Sequence, residues 1–193
     1  MKIGIIGLGL IGSSLALKID EIYNDVNIYG EDISKSNLNY AIENNIINSK
    51  LEEKDYSKLD ILFLAIPVDG ILDVLAKILD KVGQNTLVVD LGSTKMPICN
   101  LVNNNQNRNK FLAAHPIAGT EFSGPMSADS SLFNNKTIIL CETEKTENKL
   151  LNMAKELFLS IGMNIKEMKS DEHDKHIAYV SHLSHITSFM LGK

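Results

Sequence analysis

Arginine occurs once in this 193-residue chain, at Arg108, and cysteine twice, at Cys99 and Cys141, far apart and in no CxxC or histidine-paired spacing. Two such cysteines supply neither a disulfide framework nor a zinc site, and a reducing compartment suits them. No basic run is long enough to follow a phosphate backbone, and 19 basic against 24 acidic residues leave a formal charge of -5. Nucleic acid is therefore not an expected partner. No stretch approaches the ~20 apolar residues of a membrane span. The apolar N-terminus MKIGIIGLGLIGSS carries glycines at turn spacing, where a signal peptide would carry a continuous apolar segment and a cleavage site. The expectation is a cytoplasmic protein with no membrane partner. Apolar residues, in contrast, are plentiful at 44%, enough to bury a core without disulfides or metals.

Short apolar runs alternate with longer stretches of helical period. Strands are expected at Lys2–Ile6, Val26–Gly30, Asp60–Ile66, Thr86–Asp90, Phe111–His115 and Thr137–Cys141. These runs lack polar alternation, which predicts burial on both faces. Apolar residues at three- and four-residue steps predict crossover helices over Leu10–Ile22, Ser34–Glu43, Asp69–Leu79 and Lys145–Ser160. The asparagine-rich segment Asn100–Lys110 reads as the end of a helix followed by a surface loop. From Asp171 to Lys193 the chain has no proline, and no glycine before Gly192, so it reads as one long helix.

Gly7-Leu8-Gly9-Leu10-Ile11-Gly12 follows the first strand and opens the first helix. In a GxGxxG turn the first glycine allows the turn, the second lets backbone approach a pyrophosphate, and the third permits close helix packing. Asp32, 20 residues beyond Gly12, is placed to accept hydrogen bonds from an adenosine ribose and to repel a 2′-phosphate. That favours NAD over NADP, although Lys35 lies nearby. The fold class is thus α/β, a Rossmann-type doubly wound, mostly parallel sheet. Asp90-Leu91-Gly92-Ser93-Thr94-Lys95 ends the fourth predicted strand, and its hydroxyls either cap the next helix or face a ligand at the carboxyl edge.

His115 ends the fifth predicted strand and emerges on that same edge. An imidazole with an ordinary pKa near ~6.5 suits proton abstraction near neutral pH, and beside a nicotinamide the proton would belong to an alcohol losing hydride. Pro116 fixes the backbone after it, and Gly119-Thr120-Glu121 supplies a polar turn around a substrate. In the last segment His173 and His176 share one helical face and His182 and His185 the opposite one, so one metal cannot collect all four. No metal site is expected. Ser181, His182 and His185 are expected to face the crevice, and His173 and His176 solvent.

With GLGLIGSSLA, DLGSTK, HPIAGTEFSG and SHLSH in this order, the chain resembles the prephenate dehydrogenase family, which also includes arogenate dehydrogenases. The resemblance implies an NAD-dependent oxidative decarboxylation of prephenate to 4-hydroxyphenylpyruvate, on the route to tyrosine. It places the catalytic histidine on His115 and, on Ser93, the serine that holds the ring hydroxyl and orients the nicotinamide. Thr120, Glu121, Ser181, His182 and His185 become substrate-binding positions, with Ser184 where the family has proline. It also implies an all-helical domain that forms a homodimer and supplies an arginine for a substrate carboxylate. Residues 1–170 are therefore expected to form the NAD-binding domain, and residues 171–193 the first helix of a truncated helical domain. Such a chain is expected to bind NAD and to oxidise prephenate poorly. Arogenate as substrate, or an NAD-binding module without turnover, are the competing readings. A 3-hydroxyacid dehydrogenase shares the glycine turn but not HPIAGTE.

Overall fold

A computed structural model describes residues 1–179. Eight strands form one sheet in the order β3-β2-β1-β4-β5-β6-β7-β8, comprising β1 (Lys2–Ile6), β2 (Asn27–Glu31), β3 (Ser49–Lys50), β4 (Ile61–Leu64), β5 (Leu87–Asp90), β6 (Phe111–Pro116), β7 (Thr137–Cys141) and β8 (Asn164–Met168). The helices are α1 (Leu10–Ile22), α2 (Lys35–Glu43), α3 (Val68–Lys81), α4 (Met96–Leu101) and α5 (Asn148–Ser160), with a further helix α6 over residues 170–179. The sheet winds outward in both directions from β1 and β4, which places the topological switch point between those two strands. Strands β1 to β6 are parallel, β7 is antiparallel to β6, and β8 is parallel to β7. The carboxyl ends of β1, β2, β4, β5 and β6 therefore share one edge with the start of β7.

Alternate residues of each central strand enter two separate cores. Ile3, Ile5, Phe63, Val89, Leu112 and Ala114 pack with α1 and α5 on one face, and Phe63 meets Phe158 edge-on at a centroid distance of 6.4 Å. Leu62, Leu64, Val88, Phe111 and Ala113 pack with α3 and α4 on the other. Burial on both faces holds fully for β4 and β5, whereas β2 alternates between buried and partly exposed positions. The six expected strands form, β1 and β7 with the expected bounds and the other four with ends displaced by one or two residues. β3 and β8 were not expected: β3 is two residues long, and β8 (NIKEM) is an edge strand without a fully buried position, so neither carries an apolar run. α2 begins one residue later than expected because Ser34 is its cap, with Oγ accepting from the Asn37 amide at 3.3 Å.

The expected surface loop before β6 is only partly exposed. Arg108 and Lys110 are buried there, and the Arg108 guanidinium donates from Nη1 to the Phe111 carbonyl at 2.8 Å and lies 5.2 Å from the Phe111 ring centre. The chain's single arginine thus serves the core beneath β6.

Lys95 joins the ends of β5 and β6. Its ammonium is fully buried, pairs with Asp90 Oδ1 and donates to the Ala114 carbonyl at 2.7 Å. Asp90 Oδ1 also accepts from the Gly92 amide at 2.9 Å, while Oδ2 is buried without a partner among the described residues. Burial raises the Asp90 carboxyl above the usual range, and the Lys95 ammonium opposes that rise. Removing one partner strands a charge in the core. Lys95→Met is expected to cost about 3–5 kcal/mol of stability, the usual consequence of breaking a buried pair from one side. Asp90→Asn combined with Lys95→Met should recover part of the loss. Urea unfolding of both variants checks this; an unchanged midpoint for Lys95→Met would show that the pair contributes nothing.

Candidate active site

The glycine turn meets its expected geometry. Gly7 has φ +97°, and a Cβ there would lie 2.4 Å from the Ala65 carbonyl oxygen; at Gly12 it would lie 2.0 Å from the Gly7 carbonyl oxygen. These two positions admit only glycine because backbone, which cannot move aside, occupies the space. Gly9 differs, since a Cβ there would meet nothing within 4 Å, so its bare backbone opens onto a cleft. Gly9 also caps α1 with no side chain bonding the first amides, which leaves the Leu10 and Ile11 end of the helix able to receive a phosphate.

That cleft has a volume of about 680 Å³ and lies at the switch point, with Gly7, Gly9, Asp32, Ile33, Ile66 and Pro67 among its walls. Asp32 holds the turn directly, its Oδ2 accepting from the Leu8 amide at 2.7 Å and its Oδ1 from the Ser34 amide at 2.7 Å. Glu31 and Asp73 add two further carboxylates to the walls. Lys35 is the exposed first residue of α2 and is not among them. Ile33 is fully exposed, an apolar surface over which a flat ring could lie. The cradle, amides, ribose acceptor and apolar wall fit a dinucleotide.

A second cleft, about 390 Å³, opens on the same edge between β6, β7 and α6, lined by His115, Pro116, Ile117, Gly119, Lys136 and Ile177 among others. His115 sits where β6 leaves the sheet, opposite Ile139 of β7. Lys136 precedes β7, so the antiparallel turn of that strand brings a cation to the edge where β6 delivers its histidine. Thr120 and Glu121 stand beyond these walls in the exposed loop, where Thr120 Oγ1 accepts from the Phe122 amide at 3.2 Å. Ser181, His182 and His185 lie outside the described residues.

One expectation is corrected here, and one of two open alternatives is removed. His173 does not face solvent: it is fully buried, with Nε2 2.8 Å from His115 Nδ1 and the two rings at 67° and 5.0 Å between centres. Helical periodicity gives the angle between residues but not which face is covered, and α6 presents His173 to the end of β6. His176 is exposed as expected. Likewise, neither Ser93 nor Thr94 caps α4. The amides of Lys95 and Met96 donate to Asp174 Oδ1 and Oδ2 at 2.7 and 2.9 Å, and Ser93 is left exposed on the turn. Asp174 Oδ1 also lies 2.7 Å from His173 Nδ1. The acidic cap comes from a residue 79 positions away, which no local sequence signal reveals. Among the described residues no group of three or more His, Cys, Asp or Glu is arranged to hold a metal ion, and no helix is long and apolar enough to cross a membrane.

Residues 15–167 match the family model described as the nucleotide-binding domain of prephenate dehydrogenase. The chain belongs to the prephenate dehydrogenase family. It is 40% identical over 154 residues to the prephenate dehydrogenase of Lactococcus lactis, covering 78% of this chain and 43% of that protein. The crystal structure of A. aeolicus prephenate dehydrogenase in complex with hydroxyphenyl propionate and NAD+ superposes with a TM-score of 0.88 at 30% identity, covering 99% of this chain and 68% of that one. Synechocystis arogenate dehydrogenase gives 0.87 at 29% identity, covering 99% and 68%. The chain spans about half the length of the curated relatives it matches. The family-model match, residues 15–167, begins after the glycine turn and ends before His173 and Asp174.

Burial, and then the neighbouring Lys95 ammonium and His173, push the His115 imidazole down to about 4. Burial lowers His173 too, against the pull of the Asp174 carboxylate. His115 is therefore neutral at physiological pH, the state a proton acceptor requires. The depressed value also carries a stability consequence. Between the ordinary value of 6.5 and about 4, the unfolded chain binds a proton that the folded chain refuses. Stability is expected to be full above about pH 6.5 and to fall as the pH drops towards about 4, flattening below. Denaturation midpoints across this range check the slope, which His115→Asn should reduce; an identical slope in that variant would remove His115 as its source.

Proposed function

We propose that this chain provides the cofactor site and the proton-accepting base of an NAD-dependent dehydrogenase that converts prephenate to 4-hydroxyphenylpyruvate by oxidative decarboxylation. The observation that carries the reading is His115 lining a cleft on the edge of the sheet that also bears the dinucleotide cleft, in a member of this family. The A. aeolicus relative bound to NAD+ and hydroxyphenyl propionate supports both the cofactor and the ring-bearing acid. The division of the chain follows the same proposal: the family match ends at residue 167 and the sheet at Met168, so we assign residues 1–170 to the NAD-binding domain and residues 171–193, of which 180–193 lie outside the described residues, to the segment after it.

In this chemistry the ring hydroxyl gives its proton to His115 as hydride leaves C4; loss of carbon dioxide from C1 then makes the ring an aromatic phenolate, and His115 returns the proton to its oxygen. Bound NAD would accept the hydride. The chain's own residues hold the other components. Gly9 and the α1 amides receive the pyrophosphate, Asp32 the ribose, and Ser93, exposed on its turn, the hydroxyl next to His115. A doubly anionic substrate needs positive charge. Lys136 in the His115 cleft supplies it, as a point charge without the two-pronged geometry of arginine. Arg108 does not, being committed to the Phe111 carbonyl.

NAD is expected to bind appreciably more tightly than NADP, because Glu31, Asp32 and Asp73 would surround a 2′-phosphate with negative charge. Calorimetric titration with both nucleotides checks this, and Asp32→Ser should narrow the difference; NADP binding as tightly as NAD would sink the assignment. The reaction itself is tested by steady-state assay with prephenate and NAD, with arogenate in parallel to decide the substrate. His115→Asn is expected to lower kcat by ~10²–10⁴-fold with NAD affinity little changed, as for loss of a positioned base. A kcat within a few-fold of the parent would return His115 to a structural role.

A further inference from the structure

We infer that His173 and Asp174 are positioning residues that fix His115 in the Nδ1–H tautomer, leaving Nε2 as the proton-accepting atom of the cleft. The argument runs inward from the carboxylate. Asp174 accepts the Lys95 amide on Oδ1 and the Met96 amide on Oδ2, so both oxygens act as acceptors. His173 Nδ1, 2.7 Å from Oδ1, must therefore carry a hydrogen and donate it. A neutral imidazole has one N–H, so His173 Nε2 is a bare lone pair. It faces His115 Nδ1 at 2.8 Å, a separation at which two lone pairs would repel. The hydrogen between the rings therefore belongs to His115 Nδ1, and the lone pair of His115 falls on Nε2. The side chain of an unconstrained histidine favours the opposite tautomer, with hydrogen on Nε2, so the protein enforces the less common form.

The surroundings leave few other partners. His173 is fully buried; besides Lys136 in the wall of the His115 cleft, the other charged groups near the pair are the Lys95 ammonium and the Asp90 carboxylate, which are bonded to each other. One carboxylate performs two tasks: Asp174 orients the histidine pair and closes the N-terminus of α4, directly after the turn that carries Ser93. The relative placement of Ser93 and His115 is thus set from a single side chain on α6. When a proton reaches His115 Nε2, the imidazolium formed donates through Nδ1 to His173, whose own N–H already points at the Asp174 carboxylate. Charge on the outer ring is met by a preorganised chain of acceptors, the role a buried carboxylate plays behind a catalytic histidine.

The catalytic meaning rests on the dehydrogenase reading, but the tautomer does not, and the experiment separates them. Nitrogen-15 NMR of the ¹⁵N-labelled 193-residue chain near neutral pH, without cofactor or substrate, distinguishes protonated from bare ring nitrogens. The His115 signals are assigned by their loss in His115→Asn. The expected spectrum shows His115 with hydrogen on Nδ1 and none on Nε2. His173→Leu, which removes the acceptor at similar volume, should abolish the Nδ1–H preference and return His115 to the Nε2–H form. His173→Gln, whose amide oxygen replaces Nε2, should retain the Nδ1–H form. A parent chain with His115 as Nε2–H, or a folded His173→Leu variant that keeps the Nδ1–H form, would overturn the inference. Should His173→Leu fail to fold, the parent spectrum alone decides. Failure of the chain to bind NAD would count against the dehydrogenase reading while leaving the tautomer result standing.

Discussion

An ammonium group with no exposed surface, bonded to Asp90 on one strand and to the Ala114 carbonyl on the next, is the constraint on which the site depends. A buried charge is tolerated only when paired and hydrogen-bonded, so Lys95 must be where both acceptors are. That requirement fixes the turn after β5 against the end of β6, one residue before His115. Where a loop would let a histidine wander, the backbone carrying it is tethered by a charge that has nowhere else to go. The same ammonium lies close enough to disfavour a second positive charge, and with burial it keeps His115 neutral.

A second constraint is layered on the first. α6 lies late in the chain, yet it supplies the cap of α4 and the partner of His115 through adjacent residues. Asp174 binds the backbone that carries Ser93, and His173 binds the ring at the end of β6. Two loops at the carboxyl edge, each free to vary by itself, are thereby referred to one short stretch of helix. Such convergence confers the precision that a reacting geometry requires, because an error in one element is corrected by the others.

Topology distributes the tasks. The switch point between β1 and β4 opens the dinucleotide cleft, where parallel strands point their carboxyl ends at a helix N-terminus. Reversal of β7 then delivers Lys136 to that edge, where it lines the same cleft as His115, so the acidic and the cationic cleft walls come from different parts of one sheet. Three carboxylates line the first cleft and a lysine the second, so the two clefts differ in the charge they offer.

The sequence by itself determined the elements whose signal is local. Six strands and the crossover helices were readable because an apolar run or a three-to-four step records burial directly, and Gly7, Gly9, Gly12 and Asp32 because a tight turn admits few residues at fixed spacing. His115 was legible as the end of a buried strand. β8 was not, since an edge strand exposed to solvent lacks the apolar run, and Arg108 looked like a loop residue because neighbouring asparagines conceal its burial. Tertiary structure alone decided the placement of His173, Asp174 and Lys136, and the buried pairing of Lys95 with Asp90. Periodicity states the angle between His173 and its neighbours on a helix but not which side meets the sheet. A cap drawn from 79 residues away, or a lysine brought to the edge by an antiparallel strand, exists only once distant segments have packed.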